Sequence, residues 1–248
     1  MLNILTLSDN DLLNQVNVIK DEYVSKNMDY NNNVYLELGN EYYWSAYSWY
    51  FQQNATKYME KSIPLINRAR AMFNSDKLQI AALSQRQLPE DTHNGNKWNV
   101  ELAQYTQYFD SVTIHDYSLD NVSMSKINLT SYNQTISYIS AYGQAVIPKY
   151  IQFVKQTFGD KKIWFTEYNN KVLQGDINNA FPFSYSVLHA MFALNYMATS
   201  ICNSDTVEFL MLHLMSSQVQ ILCKFSETSE FQRQSFLFLS VFLHFNIR

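Results

Sequence analysis

VYLELGNEYYW, Val34 to Trp44, is the stretch on which the fold turns. Val34 to Leu38 is a short apolar run of the length of a buried strand. Gly39, Asn40 and Glu41 follow at once, and then Tyr42, Tyr43 and Trp44. A carboxylate and an amide at the end of a buried strand are held by the sheet but open to a cleft. The same pattern recurs along the chain. LQIAALS (Leu78 to Ser84) ends on Ser84 and Gln85; the strand Ser111 to His115 runs into Asp116 and Tyr117. The strand Ile163 to Thr166 runs into Glu167, Tyr168 and Asn169, and VEFLMLHLM (Val207 to Met215) carries His213. LNILTL, Leu2 to Leu7, is a further strand, giving six.

Helical signals fill the intervals. Leu12, Leu13, Val16, Ile19 and Tyr23 share one face of a helix that starts after Ser8, Asp9 and Asn10. Residues 45 to 74 read as one long helix with a possible kink at Pro64. A helix with Trp98, Leu102 and Tyr105 follows, then one over Tyr132 to Phe158 and one over SYSVLHAMFALNYMATSI. Strands alternating with helices predict an α/β fold, with a parallel sheet and helical crossovers. No GxGxxG and no P-loop is present. An α/β barrel is therefore expected, with its site at the carboxyl ends of the strands.

The composition narrows the chemistry. The chain has 248 residues, a hydrophobic fraction of 47% and a net charge of -4. That sustains a core and gives no electrostatic case for nucleic acid or an anionic membrane. The longest apolar run, Phe236 to Phe245, is too short to span a bilayer. MLNILTLSDND lacks the basic start and long apolar core of a signal peptide. Cys202 and Cys223 form neither a disulfide framework nor a metal spacing. Sequons at Asn54, Asn121, Asn128 and Asn133 arise readily in so Asn-rich a chain, so the compartment stays open. The 18 Tyr and 16 Phe either fill the core or stack on flat ligands such as sugars.

Two glutamates at strand ends, Glu41 and Glu167, flanked by amides, rings and a His-x-Tyr, suit glycoside hydrolysis by paired carboxylates. The leaving oxygen needs a proton from one carboxyl group while the other attacks or stabilises the anomeric carbon. Each residue has a plainer reading. Glu41 could cap a helix, Glu167 could be an ordinary ion-pair acid, and His115 a hydrogen-bonded core histidine.

YLELGNEYYW, VTIHDYS and IWFTEYN, in this order, resemble the retaining glycoside hydrolases of clan A, nearest the α-L-arabinofuranosidase-like and heparanase-like branches. The resemblance implies a TIM (β/α)8 barrel in which an Asn-Glu pair ends strand four, a His-x-Tyr ends strand six and a second Glu ends strand seven. It makes Glu41 the acid/base and Glu167 the nucleophile. Asn40 would bond the sugar 2-hydroxyl, and Tyr117 would orient Glu167. His115, His213, Trp44 and Tyr168 would line the sugar subsite. The implied partner is an oligosaccharide or polysaccharide, with no metal or organic cofactor. Full-length members of this type are often secreted or lysosomal. The resemblance covers residues 1 to 215 and supplies strands three to eight. The first two strands are missing, so an incomplete barrel domain over 1–215 and a divergent tail over 216–248 are expected. A non-catalytic carbohydrate-binding protein is the competing reading.

Overall fold

The computed structural model describes residues 11, 14–18, 20–21, 34–73, 77–88, 95–118, 132–170, 187–213 and 220–224. The strand expected at Leu2 to Leu7 lies outside them; the first expected helix is helical at residues 14–18 and 20–21. The element order is β1 (Val34–Glu37), α1 (Ala55–Met72), β2 (Leu78–Leu83), α2 (Gly95–Leu102), β3 (Ser111–Ser118), α3 (Tyr132–Phe158), β4 (Lys162–Asn170), α4 (Val187–Cys202), β5 (Val207–His213) and β6 (Gln220–Lys224). This is an α/β fold. Strands β1 to β5 are parallel and joined by helical crossovers. β6 is a departure from the expected undifferentiated tail: it pairs antiparallel with β5, with Phe209 opposite Lys224 and His213 opposite Gln220. Among the described residues, no helix is long and apolar enough to cross a membrane.

The chain divides into two compact units, with β3 passing through both. The first holds β1, β2 and the start of β3, paired in that order, with α1, α2 and the end of α3. β2 is buried at five of its six positions, as a parallel strand covered on both faces should be. The single helix expected over residues 45–74 is broken. A 3-10 turn, Ser45–Tyr47, and a short helix, Ser48–Phe51, end at Gln52 and Gln53, both with φ of 53°. Asn54 then starts α1 by accepting from the Lys57 backbone N–H at 2.9 Å. The local side-chain bond to the backbone makes Asn54 a better cap than helix interior. α1 continues through Pro64 and buries Ala55, Tyr58, Met59, Ser62, Leu65, Ile66 and Ala69, one face at helical period.

Tyr58 ties this unit together. Its hydroxyl donates to the Leu38 carbonyl at 2.9 Å and accepts from the Leu83 N–H at 3.2 Å, joining the carboxyl ends of β1 and β2. Trp98 of α2 donates to the Leu83 carbonyl at 2.8 Å and packs on the Tyr58 ring at 5.3 Å. Trp98 is 2% exposed and belongs to the core of this unit.

The second unit holds the end of β3, then β4, β5 and β6 in sheet order, with most of α3 and with α4. Its core is a stack of rings from both helices and β4. Tyr168 lies on Tyr196 at 4.6 Å and 13°, and Phe165 meets Tyr150 and Tyr196 edge-on.

Both ring cores bear on stability at high pH. Burial, then the Asp116 charge, pushes the Tyr196 phenol well above its ordinary value, and burial does the same to Tyr58. A group whose pKa is raised on folding contributes stability that is complete below its unfolded pKa and lost as pH rises above it. Unfolding free energy is therefore expected to hold steady up to about pH 10. Above that it should fall by about 1.4 kcal/mol per pH unit for each of the two phenols. Urea titrations at a series of alkaline pH values measure this slope; a flat profile to pH 11 would contradict the buried, neutral assignment.

Candidate active site

In the first unit the backbone ladder runs one residue past β1, through Leu38 N–H to the Ala81 carbonyl at 3.1 Å. The chain then turns sharply. Gly39 has φ of +99°, and a Cβ there would stand 2.3 Å from a ring carbon of Tyr42, so both backbone and space require glycine. Glu41 has φ of 47°, a left-handed conformation that costs a non-glycine residue on the order of 1 kcal/mol. The turn closes with the Trp44 N–H on the Glu41 carbonyl at 2.9 Å. Tyr42 and Tyr43 point into the core, against Phe51 and Trp98 respectively, while Trp44 is exposed. Asn40 and Glu41 are half-buried. The Asn40 Oδ1 is buried with no hydrogen-bond partner among the described residues. A buried orphan acceptor carries a desolvation cost of about 1–3 kcal/mol that a ligand hydroxyl would relieve. Strain and an orphan acceptor on adjacent residues are what a site shaped for a ligand leaves behind.

Ser84 and Gln85, at the end of β2, are already occupied. Asn99, fully buried on α2, accepts from Ser84 Oγ and from the Gln85 N–H, and donates to the Gln85 carbonyl.

In the second unit β3 runs on past its expected end at His115, to Ser118. Successive side chains of a strand alternate, so His115 and Tyr117 face one way and Asp116 the other. Asp116 is fully buried among hydroxyls. Its Oδ1 accepts from Tyr142 at 3.0 Å and Tyr150 at 2.8 Å, and its Oδ2 from Tyr196 at 2.9 Å. This cage fixes the segment between His115 and Tyr117 against α3 and α4.

β4 extends past its expected end at Thr166, to Asn170, and is irregular where it matters. Phe165 pairs with Leu210 but Tyr168 with Leu212, so three steps on β4 match two on β5. This bulge explains how Phe165 and Tyr168, three residues apart, both pack on Tyr196 of α4. A regular strand would place them on opposite faces. It also lets the two consecutive residues between them, Thr166 and Glu167, meet the same neighbour. His115 Nε2 lies 3.1 Å from Thr166 Oγ1, and His115 Nδ1 lies 3.6 Å from Glu167 Oε2. Tyr117 completes the group by donating its hydroxyl to the same Glu167 oxygen, Oε2. His115 is 5% exposed, so it is a bonded, buried histidine as well as a neighbour of the glutamate.

Of the expected site residues, the second unit thus brings His115, Tyr117 and Glu167 together, and the first sets Asn40, Glu41 and Trp44 in one turn. Tyr168 is 1% exposed, its ring in the stack with Tyr196. His213 closes β5, and its side chain lies outside the described residues. Thr166 was not singled out by the sequence. Its signal was its place just before the strand-end glutamate, which a bulge turns toward His115. Scans against protein-family models and against curated proteins give no match to this chain.

Proposed function

We propose that the chain is a glycoside hydrolase that works by the retaining, double-displacement mechanism, with Glu167 as nucleophile and Glu41 as acid/base. The observation that carries the reading is the Tyr117 hydroxyl on Glu167 Oε2, with His115 beside it. A nucleophilic carboxylate must be aimed, and two side chains from the neighbouring strand converge on this one. The strained turn at Glu41 and the orphan acceptor of Asn40 support the acid/base and sugar-hydroxyl roles. Glu41 follows the parallel strand β1 and Glu167 lies in the carboxyl-terminal half of the parallel strand β4, the end at which barrel enzymes place their chemistry. In this reading β1 to β5 are strands four to eight of a TIM barrel.

The reaction then proceeds in two steps. Glu41 gives its proton to the leaving oxygen while Glu167 attacks the anomeric carbon, forming a glycosyl-enzyme ester. Glu41, now a base, takes a proton from water, which attacks the same carbon and releases Glu167. The substrate class is an oligosaccharide or polysaccharide, with α-L-arabinofuranosides the first candidates. Turnover of a panel of aryl glycosides, compared with Glu167→Gln, tests this. Binding of oligosaccharides by calorimetry without turnover would favour the carbohydrate-binding alternative.

A further inference from the structure

We infer that Asn54 is an acceptor for N-linked glycosylation, and that the glycan leaves in place the helix cap this residue forms. The inference stands apart from the hydrolase reading.

The chain carries four Asn-x-Ser/Thr tripeptides, at Asn54, Asn121, Asn128 and Asn133. Such a tripeptide is only a motif until its amide nitrogen is shown to be accessible. Asn121 and Asn128 lie outside the described residues, and Asn133 is the second residue of α3, with its side chain outside them. Asn54, in Asn54-Ala55-Thr56, is the one whose side chain is described.

Asn54 stands on the turn that joins the short helix Ser48–Phe51 to α1. Gln52 and Gln53 before it and Lys57 after it are exposed, and Asn54 and Thr56 are partly so. Its backbone is extended, with φ of -111° and ψ of 110°. The two ends of its amide differ. Oδ1 accepts from the Lys57 N–H at 2.9 Å, in a bond open to solvent. Nδ2 makes no hydrogen bond among the described residues. Nor is Nδ2 a buried atom without a partner, a state found among the described residues at Asn40 Oδ1. An amide nitrogen that is neither bonded nor buried faces water.

This division suits the modification. In the transfer, Nδ2 attacks C1 of the first sugar of a lipid-linked oligosaccharide diphosphate. The Nδ2–C1 bond forms, the C1–oxygen bond to the diphosphate breaks, and Nδ2 gives up one proton. Oδ1 takes no part, and Nδ2 keeps its other hydrogen. The cap is therefore untouched, and α1 begins at the same place with or without the sugar. The next residue is fixed as well: Ala55 is buried, with its N–H on Glu101 Oε2 at 2.9 Å. Variants separate the two roles of Asn54. Aspartate at 54 caps a helix and takes no sugar, glutamine is too long to cap well, and Thr56→Val removes the acceptor motif while leaving the cap.

The test expresses the full chain into the secretory pathway of a eukaryotic cell. A peptide N-glycosidase in heavy-oxygen water then marks each sugar-bearing asparagine in the peptide mass spectrum. The expected result is a marked Asn54 in the native chain and in Thr56→Ser, and no mark at position 54 in Thr56→Val or Asn54→Asp. On thermal unfolding the glycosylated chain should melt no lower than Thr56→Val. Asn54→Gln, which loses both sugar and cap, should melt about 2–4 °C below Thr56→Val. A chain recovered from the lumen or the medium with Asn54 unmarked would overturn the acceptor assignment. A glycosylated chain that melts as low as Asn54→Gln would overturn the claim that the cap survives.

Discussion

Glu167→Gln is expected to lower kcat on an aryl glycoside by on the order of 10⁴-fold or more, because effects of this size follow loss of a nucleophile that acts within a unit. The substitution is nearly isosteric and keeps an acceptor for the Tyr117 hydroxyl, so the fold should survive. What it removes is the carboxylate that forms the ester. Tyr117→Phe separates aiming from chemistry. It leaves the carboxylate and removes its donor, so its loss should be much smaller, about tenfold to a hundredfold. Steady-state kinetics on the three proteins read both effects. Equal activity of native chain and Glu167→Gln would rule out the nucleophile assignment, whatever the substrate.

The largest effect on stability is expected at Asp116. Three buried phenols, Tyr142, Tyr150 and Tyr196, all donate to this carboxylate. Asp116→Leu would leave three buried hydroxyls without their acceptor, at about 1–3 kcal/mol each before relaxation. A loss of about 5 kcal/mol is expected, a large fraction of a typical domain's stability of about 5–15 kcal/mol. Asp116→Asn keeps one acceptor oxygen and should cost about 2 kcal/mol, so it remains measurable if the leucine variant does not fold. Tyr142→Phe, which removes one donor of three, should cost about 1 kcal/mol. Urea unfolding of the variants gives the ranking Leu, Asn, Phe in falling cost. A near-neutral Asp116→Leu would mean the cage carries no net stabilisation. The cage also bears on the site, because Asp116 sits between the two β3 residues that meet Glu167.

The sequence made the alternation of strands and helices legible because each strand is a short apolar run bounded by polar residues. It misjudged where strands end. β3 and β4 were expected to end at His115 and Thr166, but they continue to Ser118 and Asn170. The strands persist because their polar side chains are matched from outside the strand. Asp116 is matched by tyrosines 26, 34 and 80 residues away, and His115 by Thr166, 51 residues away. No local pattern encodes such pairings. The bulge at Thr166 and Glu167 was likewise hidden, since a strand's period of two carries no mark of an extra residue until the partner register is known. The aromatic crowd after Glu41 was ambiguous by composition: two of its three rings belong to the core and one, Trp44, to the surface. β6 was missed because QILCK follows the end of the β-α pattern and pairs backward onto β5.

The central claim is that Glu167 attacks an anomeric carbon. A slow 2-deoxy-2-fluoro aryl glycoside, which forms the glycosyl ester but hydrolyses sluggishly, tests it directly by peptide mass spectrometry. The account predicts stoichiometric release of the phenol and one added sugar mass on the peptide that carries Glu167, absent in Glu167→Gln. Labelling elsewhere, or turnover of the parent glycoside without any trapped ester, would contradict it.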